Sequence, residues 1–166
     1  KRVQKRLPLT IAVRKIVDYE YVSRTEHLVK IVADDPQNDI AILQVVDADF
    51  VPGMAAPLAP DTYQYRRGLR VYAVGNPAVE FDNSITEGII SAPMRPVDFG
   101  SGYIFKMFQH SAATIGGNSG GAVLNSDGEL IGTTTGGIPG APVGFSIPIS
   151  FTKELLRRAG FRSDSE

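Results

Sequence analysis

Apolar positions along this 166-residue chain fall mostly in short, β-branched runs bounded by turn-forming residues. That pattern predicts strands over 9–16, 27–33, 40–46, 69–75, 84–92, 103–109, 121–125, 129–135 and 143–149. Asp34-Asp35-Pro36-Gln37, Asn76-Pro77, Ser126-Asp127-Gly128 and Gly136-Gly137-Ile138-Pro139-Gly140 separate them. Ser126-Asp127-Gly128 between two apolar runs reads as a tight hairpin. A single helix is predicted over 150–159, capped by Ser150, ended by Gly160 and turning Leu155 and Leu156 inward. The stretch 49–65, rich in Pro and Ala, has no period and reads as a connector between two strand groups. The fold class predicted is all-β, a barrel or sandwich with a short C-terminal helix.

Composition narrows this picture only slightly. The 17 Gly and 11 Pro suit a turn-rich β protein, and the formal net charge of −1 gives no global attraction to nucleic acid or anionic lipid. No apolar run reaches the roughly 20 residues of a membrane-spanning helix. Cysteine is absent, which removes disulfides, thiolate catalysis and cysteine zinc sites. The basic opening Lys1-Arg2-Val3-Gln4-Lys5-Arg6 reads as a solvated end, with contact to nucleic acid or membrane as the alternative.

Candidate chemistry concentrates in Gly117-Asn118-Ser119-Gly120-Gly121. A serine hydroxyl attacks a carbonyl only when a base takes its proton and nearby donors hold the oxyanion. Glycines on both sides let the backbone turn tightly and aim the N–H groups of Gly117 and Ser119 into one small volume. At average residue frequencies this pentapeptide begins at a given position with odds of roughly one in a million. A plain Gly-rich turn or anion nest is the structural alternative.

The segment from Gly117 through Ala122-Val123-Leu124-Asn125 to Ile131-Gly132 resembles the nucleophile segment of HtrA-like trypsin-fold serine proteases. Four further segments resemble that family in the same order: Asp35-Pro36-Gln37-Asn38-Asp39-Ile40-Ala41-Ile42-Leu43, Val71-Tyr72-Ala73-Val74-Gly75-Asn76-Pro77, Ser84-Ile85-Thr86-Glu87-Gly88-Ile89-Ile90-Ser91-Ala92 and Gly144-Phe145-Ser146-Ile147-Pro148-Ile149. The resemblance implies a trypsin-like double β-barrel whose first barrel is incomplete at its N-terminus. It divides the chain into a remainder of the first barrel (1–50), a connector (51–68), the second barrel (69–149) and a terminal helix and tail (150–166). It implies Ser119 as nucleophile, Asp39 as the acid that orients a histidine, and Gly117 and Ser119 as the oxyanion hole. Asn118 stands where many relatives in the wider trypsin class carry Asp, so a carboxylate pair with a freed N-terminus is not expected.

A Ser–Asp pair without histidine is not a working triad. His27 and His110 are the two histidines of the chain. By the resemblance the general base lies about 30 residues before the acid, where no histidine stands. His27 reads as a partly exposed strand residue and His110 as a strand-end residue near the groove. The expected base is therefore a histidine upstream of Lys1. The alternative is a trypsin-fold module that binds peptides without cutting them.

The resemblance walls the primary pocket with Ala113, Thr114, Ile115 and Gly116, with Thr135, Gly136 and Gly137, and with the strand from Val143. None is charged, so a small or medium apolar side chain is expected before the cut bond. Substrate backbone is expected to add as a strand beside 133–137, and the glycine-rich loop 136–140 is expected to move. No cofactor is expected, and no metal either, because two isolated histidines lack paired carboxylates. Expected partners are polypeptide substrates, without nucleic acid or a membrane span. The resemblance adds a homo-oligomer such as a trimer, a following PDZ domain, and a bacterial envelope or secreted location, though a cytoplasmic one is compatible with the composition.

Overall fold

The computed structural model describes residues 9–17, 20–76 and 84–161, and the side chains of 9–11, 25–76 and 84–161. The basic opening lies outside the described residues. Strands β1 (Thr10–Val17), β2 (Glu20–Asp35) and β3 (Ile40–Val45) form an antiparallel sheet in that order. Strands β4 (Arg70–Gly75), β5 (Ser84–Val97), β6 (Phe105–His110), β7 (Ala122–Leu124), β8 (Leu130–Gly137) and β9 (Gly144–Pro148) close into a barrel, in the order β4-β5-β6-β9-β8-β7. Helix α1 (Ile149–Arg158) follows β9 directly. The molecule is thus mostly β, with one closed six-stranded barrel and a second, three-stranded sheet.

Val71, Ala73, Ile90, Phe108, Val123 and Ile131 point into the barrel with Ala59, Ala112 and Ile149. A second cluster of Ile40, Met107, Ile147 and Leu155, flanked by Ala33, Ile42 and Phe151, joins the first sheet, the barrel wall and α1. The helix is therefore wedged between the two halves.

The beginning of α1 departs from expectation. The residue before its first turn is Pro148, and no side chain caps it, so Ser150 is not the cap. The Ile149 N–H instead donates to the Tyr65 hydroxyl at 3.0 Å, and that hydroxyl donates to the Ile131 carbonyl at 2.5 Å. One phenol from the connector thus satisfies an orphan helix donor and a strand acceptor. Lys153, 3% exposed, extends this seam by donating to the Ala59 carbonyl at 3.2 Å and pairing with Asp61 at 2.6 Å. The connector is stitched to β8 as well, through Ala59 N–H to Leu130 O and Leu130 N–H to Pro57 O.

Two strands run further than the apolar pattern predicts. β2 begins at Glu20, because a polar stretch pairs with β1 from Glu20↔Val17 to Leu28↔Thr10. β5 continues to Val97 past Pro93, which falls within the register shift between Ala92 and Arg95, and past Pro96, which pairs in regular register with Lys106. Proline is tolerated in a strand at such bulges.

Candidate active site

Ser119 sits in the loop between β6 and β7. Gly117 has φ 103° and Gly120 φ 84°, both in the left-handed region. Those angles are open to glycine at little cost and strained for other residues. The loop is pinned by Asn118 N–H to Ile115 O at 3.1 Å, Gly120 N–H to Thr134 O at 2.8 Å and Gly121 N–H to Asn118 O at 2.9 Å. Among the described residues, no acceptor takes the N–H of Gly117 or of Ser119.

Asn118 points the other way, 6% exposed, toward the end of β4. A Cβ at Gly75 would lie 2.4 Å from its Oδ1. Glycine at the end of β4 therefore makes the room that the Asn118 side chain fills. Oδ1 is buried with no partner among the described residues, which makes this a costly place for extra charge.

The Ser119 hydroxyl is exposed and donates to the Thr135 carbonyl at 2.8 Å. It borders a hollow of about 330 Å³ lined by Thr114, Ile115, Gly116, Gly136, Gly137, Pro139 and Gly140. Among the described residues, no charged side chain lines this hollow. Of the residues named from the sequence, Thr114, Ile115, Gly116, Gly136 and Gly137 meet there beside Ser119. Ala113, Thr135 and Val143 stand outside the lining: the Ala113 carbonyl accepts from Thr86 Oγ1, the Thr135 carbonyl holds Ser119, and the Val143 carbonyl accepts from the Ile138 N–H. Pro139 and Gly140 were not singled out. They follow the strand end and reach the hollow only because the turn 138–141 folds back, with Ala141 N–H on Ile138 O. Beyond Thr133 no strand pairs with the β7 side of β8 among the described residues.

Asp39 lies in the turn between β2 and β3, exposed, with φ 54°. Asp35 braces that turn by accepting from Asn38 N–H at 3.3 Å and Asn38 Nδ2 at 3.0 Å. Its other bond, from Arg158 at 2.8 Å, ties the turn to α1. The Asn38 side chain first, and Arg158 after it, hold the Asp35 carboxyl below its ordinary range against the opposing effect of burial. Among the described residues, no hydrogen bond or ion pair joins Asp39 to Ser119.

Neither histidine reaches this constellation as a base. His27 is buried, against the expectation of a partly exposed strand residue. It faces Asp47 at 3.3 Å and packs edge-on against Phe50. Eight residues along β2 separate it from Asp35, about 25 Å at strand rise. Asp49 lies close enough that the three could ligate one ion, their ligand atoms within 4.8 Å of one another. The linear sequence hid this grouping, because Asp47 and Asp49 follow His27 by some 20 residues and meet it only through β2–β3 pairing. Asp47 also accepts the Leu28 N–H at 2.8 Å, while Asp49 stands exposed at the edge of the group. His110 is fully buried, with Nε2 3.1 Å from Ser146 Oγ and Nδ1 unpartnered among the described residues. Burial pushes its pKa down to about 4, opposed in part by the Ala112 backbone.

Residues 7–132, which carry the glycine-flanked, exposed serine and most of the closed six-stranded barrel, match the family of the trypsin-like peptidase domain. The chain belongs to that family. Within it, this trypsin-like peptidase domain is 31% identical over 147 residues to a probable periplasmic serine endoprotease DegP-like of Rickettsia prowazekii, covering 86% of the chain and 28% of the relative. It is 40% identical over 104 residues to a serine protease Do-like HtrA of Lactobacillus helveticus, covering 62% of the chain and 24% of the relative. Among solved structures it is similar to an HtrA-type protease AlgW with decapeptide, at a TM-score of 0.67 and 30% identity, over 81% of the chain and 41% of that structure. The chain spans about a quarter of the length of these curated relatives.

Proposed function

We propose that this chain is the greater part of the catalytic domain of an HtrA-like serine endopeptidase. The carrying observation is the exposed Ser119 hydroxyl at the mouth of an uncharged hollow, next to Gly117 in the left-handed region. In this reading Ser119 Oγ attacks the substrate carbonyl and forms an acyl-enzyme that water then hydrolyses. The N–H groups of Gly117 and Ser119, which have no acceptor among the described residues, hold the oxyanion. Asp39 orients the general base, a histidine outside these 166 residues, since His27 and His110 are both buried and engaged elsewhere.

The uncharged lining favours a small or medium apolar side chain before the cut bond. Substrate backbone would add along Gly136–Gly137, on the side of β8 that lacks a strand partner. The division of the chain at 51–68, an oligomeric assembly and a bacterial envelope or secreted location belong to the same proposal; the last draws on relatives named as periplasmic.

A second reading, a peptide-binding module that does not cut, draws on one observation: the Ser119 hydroxyl donates to Thr135 O rather than to a base. Labelling the full-length protein with a fluorophosphonate probe separates the two readings, with Ser119→Ala as control. Adduct at Ser119 supports the endopeptidase. A folded protein that takes no probe refutes it in favour of the binding module.

A further inference from the structure

His110 ends β6 directly opposite Gly144 on β9, and Gly144 pairs in turn with Gly137, on the wall of the hollow. A Cβ at Gly144 would lie 2.3 Å from His110 Cε1, 2.8 Å from His110 Nε2 and 2.6 Å from Thr114 Oγ1. The side-chain space of position 144 is therefore already filled by the imidazole and the Thr114 hydroxyl. Thr114 itself lines the hollow, and a Cβ at Gly137 would meet its carbonyl at 3.1 Å and its Cβ at 3.4 Å. Imidazole, Thr114 and the two glycines thus form one layer between the barrel interior and the hollow beside Ser119.

We infer that His110 is the positioning residue that sets the depth of this hollow, and with it the size of the substrate side chain accepted. The inference rests on reading the hollow as the substrate pocket. Two observations carry it beyond ordinary core packing. The ring is fully buried, with Nε2 against Ser146 and Nδ1 without a well-formed partner among the described residues, so it is a poor choice as mere filler. The strand residue opposite the ring is glycine, so the imidazole, together with the Thr114 hydroxyl, takes the space that a side chain at 144 would fill. A planar group of fixed size, held by Ser146 at one edge, keeps Thr114 forward and the hollow shallow.

The test is a binding titration of the full-length protein, followed by NMR, with capped peptides ending in Val, Leu or Phe. Binding of a product-like peptide needs no catalytic base. His110→Ala opens the space behind Thr114 and should raise the Phe-to-Val affinity ratio at least tenfold, because a hydrophobic pocket discriminates by about 10-fold or more per methylene. His110→Phe, of similar size and without the Ser146 bond, should leave the ratio near that of the parent. His110→Asn replaces His110→Ala if the latter does not fold. A merely structural role would lower stability without moving the ratio. An unchanged ratio in a folded, smaller variant, an equal shift in His110→Phe, or no peptide binding by any form overturns the inference. Fluorophosphonate labelling separates this from the endopeptidase reading. Labelling with an unchanged ratio removes the inference alone, and a shifted ratio without labelling removes catalysis alone.

Discussion

Acid should destabilise this fold through His110 in a way that one substitution can isolate. The imidazole is neutral in the native barrel, with a pKa pushed down to about 4 by burial, against 6.5 for the free side chain. Between those values the unfolded chain binds a proton that the folded chain refuses. Stability from this group is therefore full above about pH 6.5 and is lost as pH falls toward 4. The difference corresponds to about 2 kcal/mol by pH 5 and about 3 kcal/mol by pH 4. A domain of this size is stable by only some 5–15 kcal/mol, so the loss is large. Urea denaturation of the parent and of His110→Phe at pH 7, 6, 5 and 4.5 measures it. Every other titrating group is common to both curves. The parent should lose ground to the variant by roughly 1.4 kcal/mol per pH unit in the middle of that window. Parallel curves would mean that the imidazole takes a proton as readily in the barrel as in the unfolded chain, and would refute the argument.

Three further outcomes follow from contacts described above. Asn118→Asp places a carboxylate against Gly75, where Oδ1 has no partner among the described residues, so its pKa should rise and stability should fall by several kcal/mol at neutral pH; the deficit should shrink on acidification, and a pH-independent deficit would contradict it. Gly75→Ala drives a methyl group into the Asn118 side chain and should cost about 1–3 kcal/mol in thermal or urea unfolding. Tyr65→Phe removes the hydroxyl shared by Ile131 O and Ile149 N–H and should cost about 1–3 kcal/mol, with faster amide exchange at Ile149 as its local signature.

Much of the barrel could be read from the chain because its strands are short, β-branched and fenced by turn residues. Ser119 stood out because its glycine neighbours are needed for backbone geometry, and that need shows in the residue types themselves. What escaped the reading depends on partners distant in sequence. The polar residues from Glu20 to Glu26 look like a loop until β1 supplies their hydrogen bonds. Pro93 looks like a strand breaker until an irregularity between Ala92 and Arg95 takes it up. The helix start was misassigned to Ser150 because the donor at Ile149 is satisfied by Tyr65, 84 residues away. His27 reads as partly exposed because Asp47 and Phe50, which enclose it, arrive only after β3 has paired. Within the hollow, Pro139 and Gly140 are placed by the fold of a turn, which no local pattern announces.

The seating of α1 has a mechanical consequence. Leu155 is sunk in the cluster shared by the first sheet and the barrel, Lys153 grips the connector, and Arg158 holds the aspartate that braces the Asp39 turn. The helix thus works as a gauge block, fixing the gap between the part of the molecule that bears Asp39 and the part that bears Ser119. Reactions between positioned groups lose about a hundredfold in rate for an error near 1 Å. In the proposed endopeptidase, a pull or push on this helix would therefore shift Asp39 relative to Ser119 and lower the rate from a distance, with every residue around Ser119 still in place.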